Sequence, residues 1–342
     1  MPILYDMRVL AAVDKFRGTA TAAQVSSAIG HACWELGVDC IEAPIADGGE
    51  GTLDALGGPN RTSRVTDPLG NPVEAQWRLA GDTAVIEMAR ASGLSLVGGP
   101  KKNDVIAAST IGTGQLIDTA LNEGAKRIIV CVGGSATVDG GLGAIRAIST
   151  PARLRGTEFV VACDVRTLFS DAAKLFGAQK GASKVQIEFL TGRLEQLQQS
   201  YLREYGVDVS ELVGGGAAGG LAGGLGALGA LLIPGFDVVA DEVGLHEQVA
   251  QCDLVITGEG YLDMESFDGK VVGGVQHLAQ QFNKPVVVIC GGADSSAQER
   301  IDSFSLIANF GEQEAFAQPL MCIEKAAATI IRRFNSPLQT IG

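Results

Sequence analysis

The chain has 342 residues, a formal net charge of −13, and 46% hydrophobic against 19% charged residues. That length exceeds the roughly 100–200 residues of a single domain, so two domains are expected, and the composition excludes a disordered chain. The acidic balance excludes nucleic acid and anionic membrane as general partners, because both require clustered Lys and Arg.

Eight apolar runs, most of them rich in Val and Ile, predict strands at 8–13, 41–46, 84–88, 127–132, 158–163, 253–257, 285–290 and 304–308. Between them, helical patterns fall at about 19–36, 105–122, 186–205, 216–232, 270–282 and 314–334. Such alternation predicts largely parallel sheets of βαβ type. Residues 212–236 carry no charge, but they are dominated by Gly and Ala and lack a basic flank or aromatic belt, so a membrane span is not expected.

The seven cysteines, at 33, 40, 131, 163, 252, 290 and 322, form no CxxC pair, and most lie in apolar runs. Residues 1–6 lack the basic flank and apolar stretch of a secretory signal. A reducing, cytoplasmic setting is the expectation. His31, His246 and His277 are isolated in sequence, so no zinc centre is expected either.

Six of the eight predicted strands close on an acidic residue or a Gly pair: Asp14, Asp47-Gly48-Gly49, Gly133-Gly134, Asp164, Gly258-Glu259-Gly260 and Gly291-Gly292. In open α/β sheets ligands bind outside the carboxyl ends of strands, so this recurrence predicts an active edge. At any single position the ordinary role of such residues, a turn or a helix cap, competes with that reading.

Phosphoryl transfer needs backbone amides and cations around phosphates, carboxylates for Mg²⁺, and a group that orients the attacking hydroxyl. The stretch Gly133-Gly134-Ser135-Ala136-Thr137-Val138-Asp139-Gly140-Gly141 follows an apolar strand and suits an oxyanion cradle. Gly214, Gly216 and Gly219 formally make GxGxxG, but no convincing strand precedes them, and close helix packing is the competing reading. Glu259 and Asp263 place two carboxylates just past a strand. Arg17, Lys102, Lys180 and Lys270 are the candidate cations. No GxxxxGK[ST] is present, which excludes a P-loop, and Ser135 lies outside any GxSxG.

These blocks, in this order, resemble the type 1 bacterial glycerate kinases. Asp14-Lys15-Phe16-Arg17-Gly18-Thr19 is similar to that family's opening block, and Ala46-Asp47-Gly48-Gly49-Glu50-Gly51-Thr52 to its second. Thr66-Asp67-Pro68-Leu69-Gly70, Ala91-Ser92-Gly93-Leu94, Gly112-Thr113-Gly114, residues 133–141, Ala162-Cys163-Asp164-Val165, Gln179-Lys180-Gly181-Ala182, Gly216-Ala217-Ala218-Gly219-Gly220 and residues 256–270 continue the match.

The resemblance implies an α/β chain of two domains. A flavodoxin-like domain, residues 1–60 plus 245–342, would carry an inserted restriction-endonuclease-like α/β domain, residues 61–244. It implies a kinase that moves the γ-phosphoryl group of ATP, with Mg²⁺, to a hydroxyl of D-glycerate. The expected catalytic residues are Asp47, Glu259, Asp263 and Lys270, with Glu259 and Asp263 as metal ligands. Asp14, Lys15, Arg17, Asp164 and Lys180 are expected at the substrate, and Gly133, Gly134, Ser135, Asp139, Gly140, Gly219 and Gly220 at the nucleotide, with the amides of 133–135 and 140–141 on the triphosphate.

Departures from the family pattern fall at functional blocks. A segment that longer members carry is missing between residues 148 and 158. Lys15 stands for Ser, Val138 for Asn, and Tyr261, Glu265, Ser266 and Val272 for Arg, Gln, Thr and Pro. A phenol at 261 cannot grip a carboxylate bidentately as a guanidinium does. A kinase of another small hydroxy acid, or a non-catalytic binding paralogue, is therefore the alternative expectation.

Overall fold

Val- and Ile-rich runs separated by polar turns and amphipathic stretches fold as alternating strands and helices. The computed structural model describes residues 7–335, and the reading of residues 1–6 lies outside them. The strands in chain order are β1 (Arg8–Val13), β2 (Asp39–Pro44), β3 (Arg61–Thr66), β4 (Pro72–Ala80), β5 (Thr83–Glu87), β6 (Arg127–Cys131), β7 (Glu158–Cys163), β8 (Leu231–Pro234), β9 (Leu254–Leu262), β10 (Val286–Ala293) and β11 (Ser303–Ser305). They form two sheets, ordered β11-β10-β9-β1-β2 and β3-β4-β5-β6-β7-β8. This α/β chain divides into two compact units, one taking the described residues of Met1–Asp47 and Phe236–Gly342, the other Gly48–Gly235.

In the first unit every strand pair is parallel. β1 is buried from Val9 to Val13, as a central strand covered on both faces must be. Val9, Ala11 and Val13 pack with Ile29 and Cys33 of helix Ala22–Glu35 and with Ile323 and Ile330 of helix Pro319–Asn335. A second apolar cluster joins Leu262, Val288 and Cys290 to Val272 of helix Val271–Gln281. The chain steps from β1 outward to β2, then returns to place β9 on the other side of β1. Strand order therefore reverses between β1 and β9, and the crevice outside their carboxyl ends is where such sheets bind ligands.

In the second unit β3, β4 and β5 pair antiparallel, whereas β5 to β8 are parallel. Trp77 on β4 is fully buried, and its Nε1 donates to Ser63 Oγ at 2.9 Å across the hairpin. The longest helix, Lys184–Tyr205, opens on a Ser183–Gln186 capping box and stops at Gly206 in the left-handed region.

The hairpin β3–β4 is absent from the sequence reading because Arg61, Thr62 and Arg64 on its edge strand face solvent and hide the alternation. Residues 304–308 are not one strand. β11 ends at Ser305, whose Oγ accepts from the Ala308 amide and starts helix Leu306–Phe310. The helix expected at 216–232 is helix Ala217–Ala227 followed by β8, so the uncharged stretch is broken into short pieces. No helix among the described residues is long and apolar enough to cross a membrane. All seven cysteines are free thiols, six of them buried.

Candidate active site

The first unit gathers carboxylates at the switch point. The Asp14 amide donates to the Gly258 carbonyl at 2.9 Å, tying the tip of β1 to β9, which carries Glu259. Burial pushes the Asp14 carboxyl up to about 6; Lys15 opposes the rise and nearby Asp47 adds to it. Lys15 Nζ lies 3.5 Å from Asp14 Oδ1. Burial likewise pushes Glu259 up to about 7, against the Ser266 hydroxyl and Lys270, with Asp14 and Asp263 adding to the rise. Glu259 Oε1 is buried and without a hydrogen-bond partner, as is Thr257 Oγ1 two residues earlier. An unpartnered buried carboxylate oxygen is costly to leave unsatisfied, and a cation or a proton relieves it.

Asp263 has a structural duty as well. Its Oδ1 accepts from the Ser266 amide at 3.1 Å and from Ser266 Oγ at 3.3 Å, capping the short turn Met264–Phe267. Lys270 Nζ sits 3.5 Å from Glu265 Oε2. Tyr261 donates its hydroxyl to Asp294 Oδ1 at 2.7 Å. Arg17 is exposed, and its backbone runs over Gly260, where an added Cβ would come within 3.2 Å of the Arg17 nitrogen. The structure thus brings Asp14, Lys15, Arg17, Asp47, Glu259, Asp263 and Lys270 to one edge of one sheet.

The second unit builds an amide loop after β6. Gly133, Gly134 and Ser135 donate from their amides to no protein acceptor among the described residues. Behind them Lys180 is buried, with Nζ donating to Ser135 Oγ at 2.7 Å and to the Thr137 carbonyl at 2.8 Å. Burial lowers its pKa to about 7, while Asp139 pulls it back up. Asn103 Nδ2 holds the carbonyls of Ala136 and Lys180, both at 2.9 Å, and so fixes this packing. A positive charge beside amides with no protein acceptor is suited to binding an anion.

The amides of 140 and 141 are not available to a triphosphate, which corrects that part of the expectation. Gly140 N–H donates to the Gly219 carbonyl at 3.0 Å, and Gly141 N–H to Asp139 Oδ1 at 3.1 Å. Asp139 Oδ2 further accepts from the Thr110 amide and hydroxyl, both at 2.8 Å, and from the Gly143 amide at 3.1 Å. Asp139 therefore shapes the loop. Gly219 and Gly220 follow Ala218 in the left-handed region, and a Cβ on Gly219 would collide with the Thr137 carbonyl. These glycines pack one backbone against another, as the competing reading of the Gly-rich stretch had it. Asp164 lies exposed past β7, the neighbour of β6.

Sequence reasoning missed Glu87. It is buried at the end of β5, its Oε1 accepts from the amides of Gly51 and Leu53 at 2.9 Å, and its Oε2 accepts from Arg90 Nε at 2.8 Å. It anchors the turn that carries Gly48 to Thr52. The signal is present, an acidic residue closing an apolar strand, but Met88 extends the apolar run past it and hides it.

Comparison with known proteins identifies the family. Residues 9–152 and 145–335 match the profile described as "Glycerate kinase family". The two matched segments meet where the sequence reading places the missing residues. The chain is 38% identical to Glycerate 2-kinase of Escherichia coli K12, over 91% of this chain and 93% of that protein. It is 36% identical to Glycerate kinase of Bacillus subtilis 168, over 95% and 97%. A solved crystal structure from Salmonella typhimurium LT2, provisionally named glycerate kinase 2, superposes with a TM-score of 0.84 at 34% identity, covering 98% of this chain and all of that one. A profile match spanning nearly the whole chain, together with relatives of this identity and coverage, establishes that the chain belongs to the glycerate kinase family.

Proposed function

We propose that this chain is an ATP-dependent glycerate kinase of the type 1 bacterial kind, acting in the cytoplasm. It moves the γ-phosphoryl group of ATP to a hydroxyl of D-glycerate. The observation that carries the reading is the placement of Asp14 beside Glu259 at the switch point, where the Asp14 amide is tied to the Gly258 carbonyl and Glu259 Oε1 is buried without a partner. Membership of the family supports the substrates. The units correspond in this reading to a flavodoxin-like domain, with strand order two-one-three-four-five, and an inserted restriction-endonuclease-like domain, and they divide at Asp47/Gly48 and Gly235/Phe236 rather than near 60 and 245.

The donor set fits Mg²⁺, because Glu259 Oε1 is unpartnered and Asp263 uses only Oδ1 in its cap. Glu259 and Asp263 would hold the ion, which when bound neutralises charge on the phosphate oxygens. Asp47 orients the acceptor hydroxyl and takes its proton, and Arg17, Lys15 and Lys270 attract the glycerate carboxylate. The amides of 133–135, with Lys180 behind them, bind the phosphates.

ADP release with Mg-ATP that depends on glycerate, followed by phosphorus NMR of the product, tests the reading and identifies the hydroxyl. Asp47→Asn should lower kcat about 10²- to 10⁴-fold with little change in the KM for ATP. Unchanged kinetics in that variant would remove Asp47 from the scheme. A kinase of another small hydroxy acid is the second reading. It is favoured by the Tyr261 hydroxyl lying on Asp294 and by Lys15 lying beside Asp14, which change the polar groups offered to the acceptor. A panel of hydroxy acids separates the two.

A further inference from the structure

We propose that His31, Glu35 and Glu324 form a binding site for a divalent transition metal of the zinc type, separate from the candidate active site and independent of the reaction assigned to it. His31 and Glu35 stand four residues apart on helix Ala22–Glu35, so they share one face on successive turns. Glu324 comes from helix Pro319–Asn335, which packs on the first helix through Ile29, Cys33, Ile323 and Ala327. One ligand atom from each of the three side chains lies within 4.8 Å of the other two, and His31 Nδ1 is 3.1 Å from Glu324 Oε1.

Charge and donor type both point to a metal. Two carboxylates face one imidazole, so the cluster is anionic whether the ring is neutral or protonated, and a divalent ion balances it. An imidazole nitrogen with two carboxylate oxygens is a ligand set for Zn²⁺ and its neighbours in the transition series, with water completing the shell, rather than for Mg²⁺ or Ca²⁺. The His31 ring is also fixed from the side, stacked on Trp34 with ring centroids 5.7 Å apart and planes 28° from parallel.

The helix joins two parallel strands, β1 and β2, and must run back along the sheet between them. Its last turn, bearing Glu35, lies toward the amino ends of the strands, at the edge opposite Asp14 and Glu259. A metal there cross-links two helices of the same unit. It stabilises the folded chain by binding a geometry that the unfolded chain lacks.

Trp34 is 75% exposed, whereas Trp77, the other tryptophan, is fully buried. Tryptophan emission of the full chain should fall saturably as Co²⁺ is added and recover when Zn²⁺ displaces it. Half-saturation should rise about tenfold or more in His31→Gln and in Glu324→Gln, with melting temperatures in chelator unchanged because both side chains are partly exposed. Zn²⁺ should raise the melting temperature of the wild type and not of His31→Gln. Quenching that does not saturate, that Zn²⁺ leaves in place, or that is equal in wild type and His31→Gln overturns the proposal.

Discussion

Asp139 and Glu259 are both carboxylates enclosed by protein, one in each unit, and their surroundings set them to different work. Asp139 accepts an amide on Oδ1 and two amides and a Thr110 hydroxyl on Oδ2. Glu259 keeps one oxygen buried and unpartnered, and its carboxyl is pushed up to about 7. A satisfied buried carboxylate fixes a loop; an unsatisfied one waits for a cation or a proton. In the sequence both residues stand just past an apolar run in a Gly-rich stretch, so the sequence offers no way to tell them apart.

Exchanging each carboxylate for its uncharged counterpart is the sharpest way to break this contrast. Glu259→Gln should lower kcat/KM about 10²- to 10³-fold, in keeping with the several kcal/mol that metal-held charge stabilisation supplies. The same variant should be more stable than wild type in magnesium-free buffer at pH 8, by about 2 kcal/mol. The sign follows from the raised pKa. Between the ordinary value near 4.5 and about 7 the unfolded chain has released this proton and the folded chain still holds it. Wild-type stability therefore falls as pH rises through that window, and thermal melts at pH 5 and pH 8 measure the difference. A Glu259→Gln protein that melts lower at pH 8 would place Glu259 with Asp139 instead.

Asp139→Ala should act the other way, costing about 3 kcal/mol because it strands buried donors at Thr110, Gly141 and Gly143. Denaturant titration would read this, and kcat at saturating substrate should change far less than in Glu259→Gln.

Lys180→Met is the smallest of the three, an increase of about tenfold in the KM for ATP, as expected for a charge acting through a loop. In the wild type that KM should climb as pH passes upward through about 7, where the buried ammonium loses its proton. The methionine variant should lack this part of the pH profile. A parallel rise in both enzymes would mean that the amides of 133–135 work without Lys180.

The sequence carries the sheet organisation well because Val- and Ile-rich central strands are apolar whatever surrounds them, and the tips bearing Asp14, Asp47 and Glu259 follow at once. Edge strands are less legible. β3 exposes Arg61, Thr62 and Arg64, and its only strong signal is pairing with β4. Residues whose role depends on distant partners are silent in the sequence. Glu87 matters because Gly51 and Leu53 fold onto it, and the His31–Glu35 pair gains its third carboxylate or imidazole neighbour only when Glu324 arrives from the far end of the chain. Lys180 looks in sequence like any lysine beside a glycine; only folding encloses it.

That enclosure makes Lys180 a natural reporter. Surface amines react with acylating reagents whenever they are unprotonated, but an amine sealed behind Ser135 and Thr137 reacts only when the peptide chain in front of it swings away. Its labelling rate therefore counts excursions of that segment, and slower labelling in the presence of nucleotide would show the segment being held shut from the other side.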